Sequence, residues 1–270
     1  MKKLFSFAAL SLSAMLITGC GTNEESSGSS SEGSSESGFN LVDEGKFTYA
    51  ASGEFKPFSV TSGDGTMTGF DIEVAEAVAE ELGLDPEQKK FKFAGIVEGV
   101  QAGRFDAAVA SHTITDERAE KVDFSTPYYY SGPQIFVRPD SDVETLEDLE
   151  GMEIAVSKGS TYADTASEVT DQIKTYDSDV VALEALSKGK HDAVITDFVT
   201  GKEAIGAGLE IDARKLLGRS EQAIAVAQDN DELLEAINEA LETLREDGTL
   251  AEISQEYFGE DITTDPEGEE

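Results

Sequence analysis

An arginine that follows a buried strand is the strongest candidate for chemistry in this sequence. The largely apolar segment 105–110 predicts a buried strand, and the segment 111–118 after it ends on Arg118. Thr115 is expected to cap a short helix, which places Arg118 in the first turn. A cation is unfavourable at a helix N-terminus, and a local conflict of this kind often marks function. A guanidinium beside free backbone N–H groups can bind a carboxylate, but a surface ion pair explains the local sequence equally well.

Three other strand ends carry candidate binding residues, because ligands of α/β sheets bind beyond the carboxyl ends of the strands. Asp197 follows a buried strand and could receive an ammonium group, although an N-cap is the commoner role for such an aspartate. Thr161 ends a run of small polar residues that could hold an anion at a helix start. After the first strand, Phe55 is expected to face a ligand and Phe58 to pack in the core.

Composition argues against several other classes of protein. Acidic residues outnumber basic ones 56 to 20, and a chain with a net charge of -36 repels the phosphates of nucleic acids. The one cysteine, Cys20, and the two distant histidines, His112 and His191, form no Cys/His cluster. No phosphate-binding glycine motif is present either. We therefore expect no nucleic acid partner, no metal site and no cofactor.

The N-terminus resembles a bacterial lipoprotein signal. Residues 1–19 hold two lysines and then an apolar run that is shorter than the ~20 residues needed to span a bilayer. The run ends on an aliphatic residue, two small residues and Cys20, which resembles a lipobox, whose cysteine is acylated. Residues 20–38 continue with serine, glycine and glutamate and are expected to form a disordered tether. The alternative is an ordinary signal peptide with a stray cysteine.

Hydrophobic periodicity predicts strands that alternate with helices. The expected buried strands cover 47–51, 105–110, 152–156 and 193–196. A helix over 72–82 is predicted with Asp71 as its N-cap, and a final helix begins near Leu233 and ends near Gly248. This alternation indicates an α/β fold with parallel sheets.

Several short motifs, each weak alone, together resemble the polar amino-acid solute-binding proteins of ABC importers, extracellular solute-binding family 3. The resemblance runs from about residue 47 to 259, and the segments that carry it are 55–58, 69–72, 105–118, 123–129, 158–161, 192–194 and 244–249. It implies a two-lobed periplasmic-binding-protein-like (type II) α/β fold with two hinge strands and a ligand cleft. The hinges would lie near 128–132 and 220–223. Lobe one would cover 39–127 and 224–259, lobe two 134–219, and an acidic tail 260–270.

The resemblance also assigns roles at the cleft. Arg118 would bind the α-carboxylate of an amino acid and Asp197 its α-ammonium. The remaining ligand-binding residues that it implies are Ala110, Ser111, Thr113, Thr161, Phe55, Phe93 and Ser52, with the two phenylalanines enclosing the ligand side chain. Ser52 is a departure, because basic-amino-acid and glutamine binders often carry an acid there; Glu54 lies close by. His112 is also unexpected in its position and would lie at the cleft edge or on the surface.

The expected function is capture of a polar amino acid or a related small zwitterion by hinge closure. The expected partners are an ABC permease and its ATPase, with the monomer held to the extracytoplasmic face of the membrane through Cys20. The alternative is an enzyme, because cyclohexadienyl dehydratase resembles this fold and has a motif like residues 56–58. Dehydration of prephenate or arogenate would need a general acid, for which Glu54 and Glu98 are candidates.

Overall fold

Two five-stranded sheets dominate the part of the chain that this computed structural model describes, residues 38–266. The strands are β1 (Lys46–Ala51), β2 (Glu54–Phe55), β3 (Ser59–Thr61), β4 (Met67–Thr68), β5 (Asp85–Lys90), β6 (Ala107–Thr113), β7 (Val122–Ser131), β8 (Pro133–Val137), β9 (Ile154–Ser157), β10 (Ile173–Tyr176), β11 (Ala193–Asp197), β12 (Asp212–Leu216) and β13 (Ser220–Ala227). The helices are α1 (Phe70–Glu81), α2 (Ile96–Gln101), α3 (Asp116–Ala119), α4 (Tyr162–Ser167), α5 (Asp179–Ser187), α6 (Phe198–Gly206), α7 (Asp231–Glu246) and α8 (Thr249–Phe258).

The two large sheets have the same pattern of strand directions. The first has the order β5-β1-β6-β13-β7, in which β1 is parallel to β5 and β6, and β13 is antiparallel to β6 and β7. The second has the order β10-β9-β11-β8-β12, in which β9 is parallel to β10 and β11, and β8 is antiparallel to β11 and β12. We call the first sheet with α1–α3, α7 and α8 lobe one, and the second sheet with α4–α6 lobe two. The predicted two-lobed α/β fold is confirmed.

The central strands are continuous apolar runs because helices cover both faces of each sheet. In β1 every residue after Lys46 is buried, and β11 is buried throughout. Strand β5 differs: its sequence, DPEQKK, is polar and half-exposed because it lies at a sheet edge, and periodicity does not reveal it. The strand expected over 105–110 begins later and extends to Thr113.

The two lobes have differently organised cores. In lobe one a single large cluster includes Phe47, Tyr49, Phe58 and Phe70, all fully buried. In lobe two the sheet separates two smaller clusters. One contains Ile135, Ile154 and Ile195, and the other contains Phe136, Leu183 and Leu186.

Two expectations about helices are wrong. Gly69, not Asp71, is the N-cap of α1; Asp71 is fully buried in the first turn, where its carboxylate meets groups of other elements. The helix that was expected to end the fold near Gly248 is followed by α8, which the sequence analysis missed. Gly248 has a φ of 89°, which turns the chain between the two helices at little cost because glycine has no Cβ.

The chain passes between the sheets twice, and the two crossings touch. Ser131, the last residue of β7, pairs with Ser220, the first residue of β13, and Gly132 then leads into the second sheet. A Cβ on Gly132 would lie 2.1 Å from the carbonyl oxygen of Gly218, so only glycine fits there. The crossings therefore run side by side, which suits two lobes that turn about one axis.

The signal peptide, Cys20 and most of the tether predicted from the sequence lie outside the described residues, as do residues 267–270 of the acidic tail. Within residues 38–266, no helix combines the length and the apolar character needed to cross a bilayer.

Candidate functional site

A cavity lies between the two lobes, at the carboxyl ends of their parallel strands. Lobe one lines it with Ser52, Glu54, Phe55, Phe93, Ser111, Thr113 and Arg118. Lobe two lines it with Ser157, Ser160, Thr161, Tyr162, Asp177 and Asp179.

Most of the residues that the resemblance assigns to a ligand are brought together here. Those that line the cavity are Ser52, Phe55, Phe93, Ser111, Thr113, Arg118 and Thr161. Ala110 and Asp197 are not among the lining residues, and both are almost completely buried. Chain positions far apart in sequence therefore meet at one site, while the contacts that each makes with a ligand remain predictions.

Arg118 is held in place by neutral acceptors from both lobes. Its Nη1 donates to the carbonyl oxygen of Thr113 at 2.7 Å, and its Nη2 donates to the carbonyl oxygen of Gly159, in lobe two, at 3.1 Å. Its guanidinium carbon lies 5.8 Å from the centre of the Phe93 ring, within range of a cation–π interaction. Thr115 caps α3 through the backbone N–H of Arg118, as predicted.

No carboxylate of residues 38–266 lies within ion-pair distance of Arg118. Burial lowers the pKa of its guanidinium, which nevertheless remains charged because arginine does not lose its proton in proteins. The alternative interpretation of Arg118 as a partner in a surface ion pair is therefore wrong. A partly desolvated cation with spare N–H donors faces the cavity and suits an anionic ligand group.

Aromatic rings form the walls of the cavity in lobe one. Phe55 stacks on Phe58 with ring centres 4.7 Å apart; Phe58 is fully buried in the core as predicted, and Phe55 lines the cavity, while its contact with a ligand stays a prediction. Phe93 stacks on His112 with ring centres 4.5 Å apart. His112 is buried against Phe93, so the expectation that it lies on the surface is wrong, whereas it does line a second pocket between the lobes, next to Arg118. Burial, with a further effect of Arg118, lowers the pKa of His112 well below its usual value, so this ring is neutral.

Asp197 is the N-cap of α6. This is the commoner role that the sequence analysis gave for an aspartate after a strand. The Asp197 carboxylate accepts hydrogen bonds from the backbone N–H of Val199 at 2.8 Å and from the hydroxyl of Ser131 at 2.5 Å. Burial raises the pKa of Asp197 to about 7. A nearby ammonium group would lower that pKa again, so capping and cation binding are compatible roles for this carboxylate.

Asp179 is a site residue that the sequence analysis missed. It lines the cavity, is buried, and accepts hydrogen bonds from the hydroxyls of Ser157 at 2.5 Å and Thr196 at 2.6 Å. Burial raises the pKa of its carboxylate. Asp179 opens α5 just after β10, a strand that the sequence analysis did not identify. Recognising β10 and inspecting its carboxyl end would have found this residue.

Ser52 and Glu54 contribute further polar groups to the cavity. The Ser52 hydroxyl lies 3.2 Å from that of Ser59, and Glu54 lines the cavity while pairing with Lys90 at 3.0 Å. A carboxylate is therefore present in this region even though Ser52 stands where related binders often have an acid. Among the described residues that line the cavity, Arg118 is the sole cationic side chain.

The lobes contact each other across the cleft, so this structure is a closed state. Ser178 of lobe two donates to the carbonyl oxygen of Glu54 at 3.0 Å, and Lys92 pairs with Asp177 at 2.8 Å. Gly159 lies against Ala94: a Cβ on Gly159 would be 2.9 Å from both the Cα and the Cβ of Ala94. A ligand in the cavity would thus be enclosed by both lobes.

The site contains no group of residues suited to a metal ion within the described part of the chain. The cavity combines one cation with aromatic rings, hydroxyl groups and carboxylates, a set of groups that can bind a small polar ligand. The fold and this cleft define the class of two-lobed periplasmic-binding-protein-like proteins.

Comparison with known proteins gives the family. Residues 47–260 match the model of the bacterial extracellular solute-binding proteins, family 3, and the chain belongs to this family. The resemblance that the sequence motifs indicated is confirmed.

The relatives are binding proteins for amino acids. The L-cystine-binding protein TcyJ of Escherichia coli (strain K12) is 31% identical over 229 residues, which cover 83% of this chain and 86% of the relative. A solved structure of an ancestral arginine-binding protein bound to arginine is 35% identical with a TM-score of 0.75, and the match covers 80% of this chain and 99% of that one. An ancestral amino acid-binding protein described as a precursor of cyclohexadienyl dehydratase is 30% identical with a TM-score of 0.75, covering 79% and 96%.

Proposed function

We propose that this protein captures a free amino acid in the cleft between its lobes and delivers it to an ABC permease. The observation that carries the proposal is Arg118, a cation without an ion-pair partner among the described residues, which faces an enclosed cavity between two lobes. A buried charge is costly unless it is paired, and a carboxylate matches the guanidinium fork. A ligand carboxylate would complete the site.

The ligand would lie as a zwitterion across the cleft. Its α-carboxylate would bind Arg118, with backbone groups at Ala110 and Thr113 and the hydroxyl of Thr161 nearby. Its α-ammonium would bind Asp197 of lobe two, whose carboxylate is buried. Because the two charged ends are bound by different lobes, only the closed state satisfies both, and the ligand shifts the equilibrium towards closure.

The ligand side chain would lie between Phe55 and Phe93 and point towards polar groups that line the cavity. Ser52, Glu54 and Asp179 line the cavity and can accept hydrogen bonds from it. Relatives that bind L-cystine and arginine make these two amino acids the first candidates. Ser111 completes the proposed set of binding residues.

We further propose that the protein is a lipoprotein anchored through Cys20. The sequence around Cys20 resembles a lipobox, and two or more acyl chains give stable anchoring. The following run of serine, glycine and glutamate would give the lobes reach towards a permease in the same membrane. Mass spectrometry of the protein made in a bacterium should show acylation at Cys20, and a Cys20→Ala variant should be released from the membrane fraction.

The test of amino-acid binding is a thermal-shift screen of the purified chain against the twenty amino acids, L-cystine, L-ornithine and prephenate. A ligand at a hundred times its dissociation constant adds about 2.7 kcal/mol to the free energy of unfolding, which raises the melting temperature measurably. A selective rise with one or a few amino acids is expected. Isothermal titration then gives the stoichiometry, expected to be one ligand per chain.

The enzyme alternative is tested in the same preparation. Prephenate is incubated with the protein, and phenylpyruvate is followed by its absorbance. Consumption of prephenate without a shift by any amino acid would replace the binding proposal with a dehydratase. We expect no turnover: Glu54 lines the cavity but pairs with Lys90, and Glu98, which pairs with Lys121, does not line it.

A further inference from the structure

Ser111 has an unusual backbone conformation at the edge of the binding cavity. Its φ is 59°, and it is the one residue other than glycine with a positive φ among residues 38–266. The left-handed region costs roughly 1–2 kcal/mol for a residue with a Cβ. Such a conformation persists only where neighbouring groups hold it, and it is found preferentially at functional sites.

The conformation belongs to a bulge in β6. The pairing of β6 with β13 passes from His112–Ala223 to Ala108–Ala225, so residues 109–111 lie opposite Ile224 alone. A bulge of this kind re-aims side chains and backbone groups at the end of a strand. Here the re-aimed segment leads directly into Thr113, whose carbonyl oxygen accepts the hydrogen bond from Arg118.

A buried carboxylate below the bulge holds Ser111. Asp71, fully buried in the first turn of α1, accepts hydrogen bonds from the Ser111 hydroxyl at 2.8 Å and 3.1 Å to its two oxygens. Tyr128 donates its hydroxyl to Asp71 at 2.6 Å, and the same hydroxyl accepts from the backbone N–H of Ser111 at 2.9 Å. Asp71 thus binds the side chain of Ser111, and Tyr128 binds its backbone N–H.

We propose that Asp71 is a positioning residue for ligand binding, which acts by holding Ser111 in its left-handed conformation. Asp71 is not among the residues that line the cavity; it acts through Ser111, which does line it. The strained turn at Ser111 then sets the direction of the chain from Ala110 to Thr113 and, through the Thr113 carbonyl, the place of Arg118. This proposal rests on the proposed function and adds to it a residue that fixes the geometry of the carboxylate site.

Glycine at position 111 separates this role from a merely structural one. Glycine adopts a positive φ without help, whereas alanine, which also lacks the hydroxyl, does not. We therefore expect Asp71→Ala to weaken ligand binding about tenfold in the wild-type background and less than about twofold in the Ser111→Gly background. Ser111→Ala should bind more weakly than Ser111→Gly.

The experiment uses isothermal titration with whichever of L-cystine, L-arginine and L-glutamine binds the wild type most tightly. Asp106→Ala is the matched control: Asp106 is also a buried carboxylate of lobe one, but it accepts from the backbone N–H groups of Val42 and Thr48, away from the cavity. The control should lower the melting temperature without weakening binding. An Asp71→Ala effect of equal size in both backgrounds overturns the proposal. If Asp71→Ala does not fold, equal binding by Ser111→Ala and Ser111→Gly overturns it.

A crystal structure of Asp71→Ala decides the matter without a ligand. We expect Ser111 to leave the left-handed region; a φ that stays near its present value contradicts the proposal. If the wild type binds none of the probes while Ser111 moves in the variant, the positioning role survives and the proposed amino-acid ligand does not. The two failures are therefore distinguishable.

Discussion

Lobe one brings the cation Arg118 and the rings of Phe55 and Phe93 to the cleft, whereas lobe two brings the buried carboxylate of Asp179; both lobes add hydroxyl groups. Both sheets have the same pattern of strand directions, so the difference lies in the residues after the strands. Arg118 of lobe one is supported by Thr113 and stacks near Phe93, while Asp179 of lobe two is held by two hydroxyls. The comparison shows how one architecture, used twice, can place a cation and a buried carboxylate on opposite sides of one cleft.

The hydrophobic cores of the two lobes also differ. A single large cluster supports lobe one, and the aromatic walls of the cavity continue into it through Phe55 and Phe58. The core of lobe two is divided by its sheet into two smaller clusters.

The largest expected effect comes from removing the cation of lobe one. Arg118→Ala should weaken ligand binding by ~2–5 kcal/mol, because it leaves the ligand carboxylate buried without a partner. Titration calorimetry measures the change. Arg104→Ala is the control, since Arg104 also lies over a phenylalanine ring of lobe one, at 6.0 Å from the centre of Phe91, but does not line the cavity. Equal affinities for wild type and Arg118→Ala would show that Arg118 does not bind the ligand.

The next effect concerns the carboxylate of lobe two. Asp197→Asn should weaken binding by roughly 1.5–3 kcal/mol, because the amide keeps the capping oxygen but loses the charge that attracts an ammonium. Circular dichroism should show an unchanged fold. The control is Asp192→Asn, an aspartate that caps a backbone N–H of Glu153 outside the cavity. If Asp197→Asn binds as tightly as the control, Asp197 is an N-cap alone.

A pH profile tests the same carboxylate without mutation. The pKa of Asp197 is raised to about 7, so an ammonium ligand must bind to the ionised form or draw the proton off. Affinity should therefore rise as pH increases towards 7 and then stay constant. The total rise should be no larger than the loss of affinity caused by Asp197→Asn. The rise should be absent in Asp197→Asn; a rise of equal size in that variant would assign it to another group.

The stability of the empty protein should change with pH in the opposite direction. The pKa values of Asp71 and Asp197 are both raised by burial to about 7, so the folded state binds more protons than the unfolded chain between about pH 4 and 7. By linkage, the free energy of unfolding falls as pH rises through this window. Chemical denaturation at pH 5 and pH 7.5 measures the difference, which Asp71→Asn should reduce.

A smaller effect is expected where the lobes meet. Gly159→Ala places a methyl group against Ala94 and should oppose closure, with a cost of about 1–3 kcal/mol in ligand affinity. Gly189→Ala is the matched control, because Gly189 in lobe two also has a positive φ, 74°, but no atom within 4 Å of the new Cβ. Any backbone strain is shared, so only the variant at the lobe contact should weaken binding.

The smallest effect should come from the exposed contact between Lys92 and Asp177. This ion pair joins the lobes at 2.8 Å, but both side chains are largely exposed. Lys92→Ala should change the dissociation constant by no more than about fivefold, and less at high salt. Lys188→Ala, which removes an ion pair within lobe two, is the comparison. A large loss in Lys92→Ala alone would make this contact part of the ligand site.

Much of the fold could be predicted because it is encoded locally. The buried strands β1, β6 and β11 are apolar runs, and α7 carries a regular apolar stripe. Strand β5 could not be predicted because it is polar and lacks an apolar pattern. It is stabilised by its hydrogen bonds to β1 at the sheet edge and not by burial of its side chains. The shared pattern of strand directions in the two sheets was also missed, since it leaves no evident repeat in the sequence.

The sequence by itself determined the α/β class, the family and the position of Arg118 after a strand with its cap at Thr115. These depend on neighbours within a few residues, or on motifs in a fixed order. The tertiary structure alone decided that Asp71 lies under Ser111, that His112 stacks on Phe93 and that Asp179 joins the cavity. Such contacts join residues that topology brings together from distant parts of the chain, and periodicity carries no information about distant partners.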